Sequence, residues 1–295
     1  MPLAVHLLGF AIFAQGTSEF MLAGLLPGLS ADLGVSVPAA GLLISGYAAG
    51  MVVGAPALAL APLRWARRTA LVAFLAVVAA AHVAGALTSD YGFLMATRLV
   101  GAAASAGFFG VAGVAAVGLV PAHLRGRAMA VVIGGVTVAT VLGVPAGTLL
   151  GQSLGWRTAF WTVAALSLLA IAGVAATLPG GRPEGEAVPR VGDELRAMAR
   201  PGLRAAYGTA ALSFSSTMAT FAYLGALLED TTGLDERWVP AVLALFGAGS
   251  LAGIAVGGRI ADARPVRTLV IGLSGVVASS AAIALTAGFG YPSVA

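Results

Sequence analysis

The stretch AVHLLGFAIFAQGTSEFMLAGLLP, residues 4–27, decides what kind of protein this is. An α-helix needs about 20 apolar residues to cross the roughly 30 Å hydrocarbon core of a bilayer. This run is long enough, and it holds a single acid, Glu19. No basic cluster precedes it and more apolar runs follow, so it reads as a first membrane-spanning helix and not as a cleaved signal peptide. Eight further stretches repeat the pattern, at roughly 38–60, 69–87, 91–119, 128–150, 158–178, 205–228, 238–258 and 268–288. Their length and continuity predict helices, because barrel strands would alternate apolar and polar residues over about 10 positions.

The composition of the whole chain agrees. Of its 295 residues 59% are hydrophobic and 9% charged, and the mean hydropathy is +0.97. A soluble domain carries about 25% charged residues, so an ordinary water-soluble enzyme is excluded. Disorder is excluded by the apolar content. The absence of Cys removes disulfides, thiol catalysis, thiolate metal sites and an acylated lipoprotein anchor. Every one of the 16 basic residues is Arg, so the G-K-[ST] phosphate loop is absent. Neither G-x-S-x-G, H-E-x-x-H nor G-x-G-x-x-G occurs, and His6, His82 and His123 stand far apart. The expectation is a protein that is not an enzyme and uses no cofactor or metal.

The isoelectric point of about 10.1 suggests a nucleic-acid partner until the Arg residues are placed. Arg64, Arg67 and Arg68, then Arg125 and Arg127, then Arg182, Arg190, Arg196, Arg200 and Arg204, then Arg259, Arg264 and Arg267 fall in alternate connections. The intervening connections hold only Arg157 and Arg237, with Asp32, Asp90, Glu229, Asp230, Asp235 and Glu236. Such alternation is a topology device, and it predicts a cytoplasmic N-terminus with no nucleic-acid partner.

The segment PGGRPEGEAVPRVGDELRAMARPGLR, 179–204, is the one long polar connection and reads as a linker between two bundles. The expected organisation is a six-helix N-terminal bundle over 1–178, a cytoplasmic linker over 179–204 and a partial C-terminal bundle of three spans over 205–295. Spans 2 and 8 have related exits. Gly54-Ala55-Pro56 leads into Arg64, Arg67 and Arg68, and Gly258-Arg259-Ile260-Ala261-Asp262-Ala263-Arg264 leads into Arg267. That is the mark of parallel six-helix repeats. The expectation is therefore about nine spans of a twelve-helix protein, with a genuine nine-span protein as the alternative.

Glu19 is the sharpest chemical signal, because an ionised carboxylate at mid-membrane costs about 2.5–3.5 kcal/mol on insertion scales. It is a candidate proton-coupling and substrate-facing group, or else a carboxylate solvated near the outer boundary. Arg98, inside span 4, must find a carboxylate, a carbonyl or water. It either biases an acid such as Glu19 or snorkels to headgroups. In span 5, Gly134, Gly143, Pro145 and Gly147 suggest a kinked, closely packed helix. Asp262 among Arg259, Arg264 and Arg267 is either an inner-face latch or a solvated loop charge. Phe10, Phe13, Phe20, Phe108, Phe109, Phe214, Phe221 and Tyr223 either line an apolar cavity or pack.

Together, Gly16-Thr17-Ser18-Glu19-Phe20, Arg98-Leu99-Val100-Gly101 and Gly143-Val144-Pro145-Ala146-Gly147 resemble the drug:proton antiporter branch of the major facilitator superfamily. Gly16 to Leu25 with Ala31-Asp32-Leu33-Gly34-Val35 is similar to bacterial chloramphenicol efflux proteins and their sugar-efflux relatives. The resemblance implies an all-α polytopic fold and proton-driven export of a small amphipathic drug by alternating access across the bacterial inner membrane. It implies protons, drug and bilayer as partners of a monomer. Glu19 then matches the embedded acid of helix 1, and Arg98 the helix-4 arginine of proton translocation. Gly134, Gly143, Pro145 and Gly147 match the antiporter signature, while Gly258, Asp262 and Arg267 match the second gating-loop copy. In the first copy, counted from Gly54, Leu58 stands where the acid belongs. Export of sugars or other metabolites, or an inactive truncated transporter, are the alternatives.

Overall fold

The computed structural model describes residues 1–60, 65–180, 196, 200–232 and 239–286; the side chains of 56–57, 59–60, 218–219, 221–232, 239–244 and 283–286 are not part of that description. Arg64, Arg182, Arg190, Asp235, Glu236, Arg237 and most of the linker therefore lie outside the described residues, as do the side chains of Phe221, Tyr223, Glu229 and Asp230. The described chain is helical almost throughout and divides into two compact units, Met1–Val188 and Pro189–Ala295.

The first unit begins with α1 (Leu3–Phe20), which tightens into a 3-10 turn at Met21–Gly24 and continues as the short α2 (Leu26–Leu33). Then follow α3 (Val37–Leu60), α4 (Arg67–Leu87) and α5 (Tyr91–Gly118). A 3-10 turn at Ala122–Leu124 leads to α6 (Arg125–Val138), a π-helical turn at Ala139–Gly143, α7 (Val144–Leu154) and α8 (Trp156–Thr177). The second unit holds α9 (Pro201–Thr232), α10 (Val239–Ala261) and α11 (Pro265–Thr286), each packed on the other two. The described part of each of the nine expected stretches is helical almost throughout, and among the described residues seven helical segments are long and apolar enough to cross a membrane.

Local chemistry sets the breaks. Gly34 closes α2 in the left-handed region (φ 65°), where a side chain would be strained. The Asp90 carboxylate caps α5 by accepting the Phe93 N–H at 2.6 Å. Asp32 pairs with Arg157 and also accepts the Trp156 indole N–H at 3.1 Å, while Arg157 donates to the Thr88 carbonyl at 3.1 Å. These contacts gather the ends of α2 and α4 and the start of α8 on one end of the unit. At the other end Arg67 lies against Gly118 and Arg68 against Gly180. The basic connections and the acidic ones therefore sit at opposite ends of this bundle.

In lipid, helices gain little by hiding apolar surface from one another, so close packing through small residues carries association. The seam between α1 and the α6–α7 rod shows this. A Cβ placed on Gly9 would lie 2.8 Å from the Val131 carbonyl oxygen, and one on Gly16 would lie 3.0 Å from Ala139 Cβ. The π turn lies in the middle of the rod. Pro145, the second residue of α7, has no N–H to offer the carbonyl four residues back, and the widened turn accommodates that gap.

Two apolar cores fill the bundle. One joins α1 as far as Ile12, α4 as far as Val78 and α5 from Ala104 onward. The other joins Met21, Leu22, Leu43, Ala86, Leu94 and Phe160. Between them lies a polar layer.

Candidate functional site

That layer is built from four helices. Ser18 of α1 is fully buried, as are Tyr47 of α3 (2% exposed), His82 of α4 (3%) and Arg98 of α5 (2%). An unpaired charge at such a place is costly, so each polar atom needs a partner. Arg98 donates from one terminal nitrogen to Ser18 Oγ at 2.8 Å and from the other to the Ser18 carbonyl at 3.0 Å. Its guanidinium lies over the Tyr47 ring, 4.2 Å from the centroid. The Tyr47 hydroxyl donates to Ser105 Oγ at 3.1 Å. Ser18 Oγ lies 2.6 Å from His82 Nε2, and His82 Nδ1 lies 2.7 Å from the Val78 carbonyl.

Glu19 follows Ser18 directly. It is half-buried at the last turn of α1, just before the helix tightens, and its carboxylate is coupled through charge to Arg98. The two sequence candidates therefore meet at one place, with Arg98 hydrogen-bonded to the residue next to the acid. Arg98 does not snorkel to a membrane surface. One turn before Glu19, Gln15 is 1% exposed, and its side-chain carbonyl accepts no hydrogen bond among the described residues.

The span-5 candidates divide. A Cβ on Gly143 would collide with Thr17 Oγ1, and one on Gly147 would come 3.2 Å from Met21 Cβ. Both face α1 beside the polar layer. Gly134 faces open space, and it is the neighbouring Gly135 that meets α1, where a Cβ would collide with the Gly9 carbonyl oxygen. Gly54 stands within α3 and not in a loop; a Cβ there would run into Ala103 of α5. Leu58 packs against the apolar core and Gly107, an environment for an apolar group where the repeat elsewhere has an acid. In the second unit Gly258 lies in the last turn of α10, Asp262 occupies the tight turn that follows, and Arg267 is exposed on α11. Phe108 is fully buried packing, Phe10 and Phe13 stack with centroids 6.2 Å apart, and Phe214 is exposed.

Sequence reading named His82 only to set aside a metal site and Ser18 only within the Gly16–Phe20 motif, and it did not single out Tyr47, Ser105 or Gly135. One signal was available for the seam: Gly9 and Gly16 stand seven apart, and Gly143, Gly147 and Gly151 stand four apart, so each set lies on one helix face.

The model of the Major Facilitator Superfamily matches residues 8–295. The chain belongs to this superfamily. This major facilitator protein is 48% identical over 273 residues to the chloramphenicol resistance protein of Streptomyces lividans, an alignment covering 92% of this chain and 70% of the relative. It is 37% identical over 264 residues to the inner membrane transport protein YdhP of Escherichia coli (strain K12), covering 89% and 67%. Its fold is that of the proton:xylose symporter XylE bound to 6-bromo-6-deoxy-D-glucose (TM-score 0.66, 16% identity, 89% of this chain and 69% of that one). The human organic anion transporter MFSD10 shares it as well (TM-score 0.59, 17% identity, 98% and 86%). Family, fold and spans make this chain a multi-pass membrane transporter.

Proposed function

We propose that this major facilitator protein exports a small amphipathic drug of the chloramphenicol type across the bacterial inner membrane in exchange for protons, as a monomer with its N-terminus in the cytoplasm. The observation that carries the reading is Glu19. Among the described residues it is the one acid within the long helices of the first unit, beside a buried arginine in a layer walled by two apolar cores. The identity to a chloramphenicol resistance protein supports the cargo. The gathering of Arg67 and Arg68 at the end opposite Asp32 and Arg157 supports the orientation.

In this mechanism a proton from outside neutralises Glu19, and the attraction that ties the acid to Arg98 weakens. The seam between α1 and the α6–α7 rod, rich in glycine, lets α1 shift against α6 and α7. The protein then opens inward, gives up its proton and takes drug. Only differential affinity of the two states for proton and drug can drive such a cycle. Gly54, Gly258, Asp262 and Arg267 serve the gating of the cytoplasmic ends.

The test is uptake of radiolabelled chloramphenicol, beside a panel of sugars, into inverted membrane vesicles with and without a protonophore. Chloramphenicol accumulation that the protonophore abolishes and that Glu19→Gln lacks supports the proposal. Accumulation of sugars alone, or full gradient-driven uptake by Glu19→Gln, overturns it.

A further inference from the structure

His82 is buried beside the site, yet the proton-coupling reading gives it no task. Its hydrogen bonds fix its chemical state. The Val78 carbonyl 2.7 Å from Nδ1 can only accept, so Nδ1 carries the proton. An arginine can only donate, so Ser18 Oγ receives Arg98 on a lone pair, and with Nδ1 carrying the single proton of a neutral ring it gives its own hydrogen to His82 Nε2, 2.6 Å away. With a neutral imidazole the chain of donors runs from Arg98 to Ser18 to His82 to Val78, each polar atom meeting one of opposite kind.

We propose that His82 is a positioning residue that holds Arg98 on Ser18, one residue from Glu19, through this directed relay, and releases it when the imidazole gains a second proton. The inference rests on the reading of Glu19 and Arg98 as the proton-coupling pair. A second proton on His82 would aim an N–H at the Ser18 hydroxyl and reverse it. It would also set a second cation beside Arg98. Among the described residues, α8 presents the Phe160 ring, its centroid 5.6 Å from that of His82, and α3 presents Tyr47 through its contact with Arg98. The titratable and charged groups of this layer are Arg98 on α5, Tyr47 on α3 and Glu19 on α1. Arg98, displaced from Ser18, has Glu19 as its remaining partner. Protonation of His82 thus puts two cationic donors on one hydroxyl and disfavours the docking of Arg98 on Ser18.

The experiment has two arms. In detergent-purified full-length protein labelled with 15N-histidine, the signal lost in His82→Gln belongs to His82. It should show the neutral imidazole with the proton on Nδ1, and its acceptor nitrogen should shift in Ser18→Ala. An Nε2–H tautomer, a doubly protonated ring near neutral pH or no response to Ser18→Ala overturns the proposal. This arm reads the relay without any transport, so it stands even if Glu19→Gln shows the antiport reading to be wrong. In the vesicle assay, His82→Phe fills the space without an acceptor and should lower uptake about tenfold, the effect of losing one hydrogen bond to a buried polar group. His82→Gln, whose amide both accepts and donates but does not titrate, should restore uptake and abolish the part of the acid-side decline that wild type shows. Equal uptake by His82→Phe and wild type, or identical pH profiles for wild type and His82→Gln, contradicts it.

Discussion

Gly143 of the π turn is pressed against Thr17 of α1 so closely that a Cβ at 143 would overlap the threonine hydroxyl. The contact joins the widened turn of the α6–α7 rod to the residue two before Glu19. Gly143→Ala should therefore lower stability by about 1–3 kcal/mol, as overpacking does, and depress transport. Thr17→Ala in the same chain should recover part of the loss. Thermal unfolding in detergent measures both.

A neighbouring pair separates packing from helix propensity. Gly135→Ala pushes into the backbone oxygen of Gly9, which has no rotamer to yield, whereas Gly134→Ala meets open space. The first should destabilise. The second should be neutral or stabilise by up to about 1 kcal/mol, the usual gain from replacing glycine in a helix. Equal unfolding temperatures for the two variants would contradict the seam.

Arg98 reaches Ser18 with both terminal nitrogens, a geometry a lysine cannot reproduce. Arg98→Lys keeps the charge yet should lose about ten- to a hundredfold in transport, the range for losing a hydrogen bond from a charged group. Initial rates in vesicles, corrected for protein amount, read this out.

How much of this could be read from residue order follows from what a membrane demands. Hydrocarbon requires about 20 apolar residues per crossing, so the spans stand out without knowledge of packing. Glu19 and Arg98 stand out because a charge in such a run needs a reason. Ser18 and His82 carry no such mark: a hydroxyl or an imidazole in an apolar helix is unremarkable until its partner is known, and these two are 64 positions apart. Gly134 and Gly135 could not be told apart either, because one residue turns a helix by about 100° and the π turn further along shifts the register again. Gly54 groups with the gating loop through its likeness to the exit at Gly258, yet it lies inside α3, which continues to Leu60.

At the end of the bundle that holds Asp32, hydrogen bonds from Arg157 and Trp156 hold its carboxyl below the usual range. A depressed carboxyl stabilises the fold fully above its unfolded value of about 3.9. That contribution disappears as the pH falls through the lower folded value. The pair is 35% and 42% exposed, so it contributes less than about 1 kcal/mol. Asp32→Asn should cost little near neutral pH and flatten the acid limb of unfolding temperature against pH.

The account centres on Glu19 as the group that exchanges a proton for drug. The most direct measurement adds chloramphenicol to purified protein in weakly buffered detergent solution and follows the pH. Wild type should release protons as drug binds, and Glu19→Gln, with binding confirmed by a separate titration, should release none. Equal release by the two proteins, or drug binding without release from wild type, would contradict it.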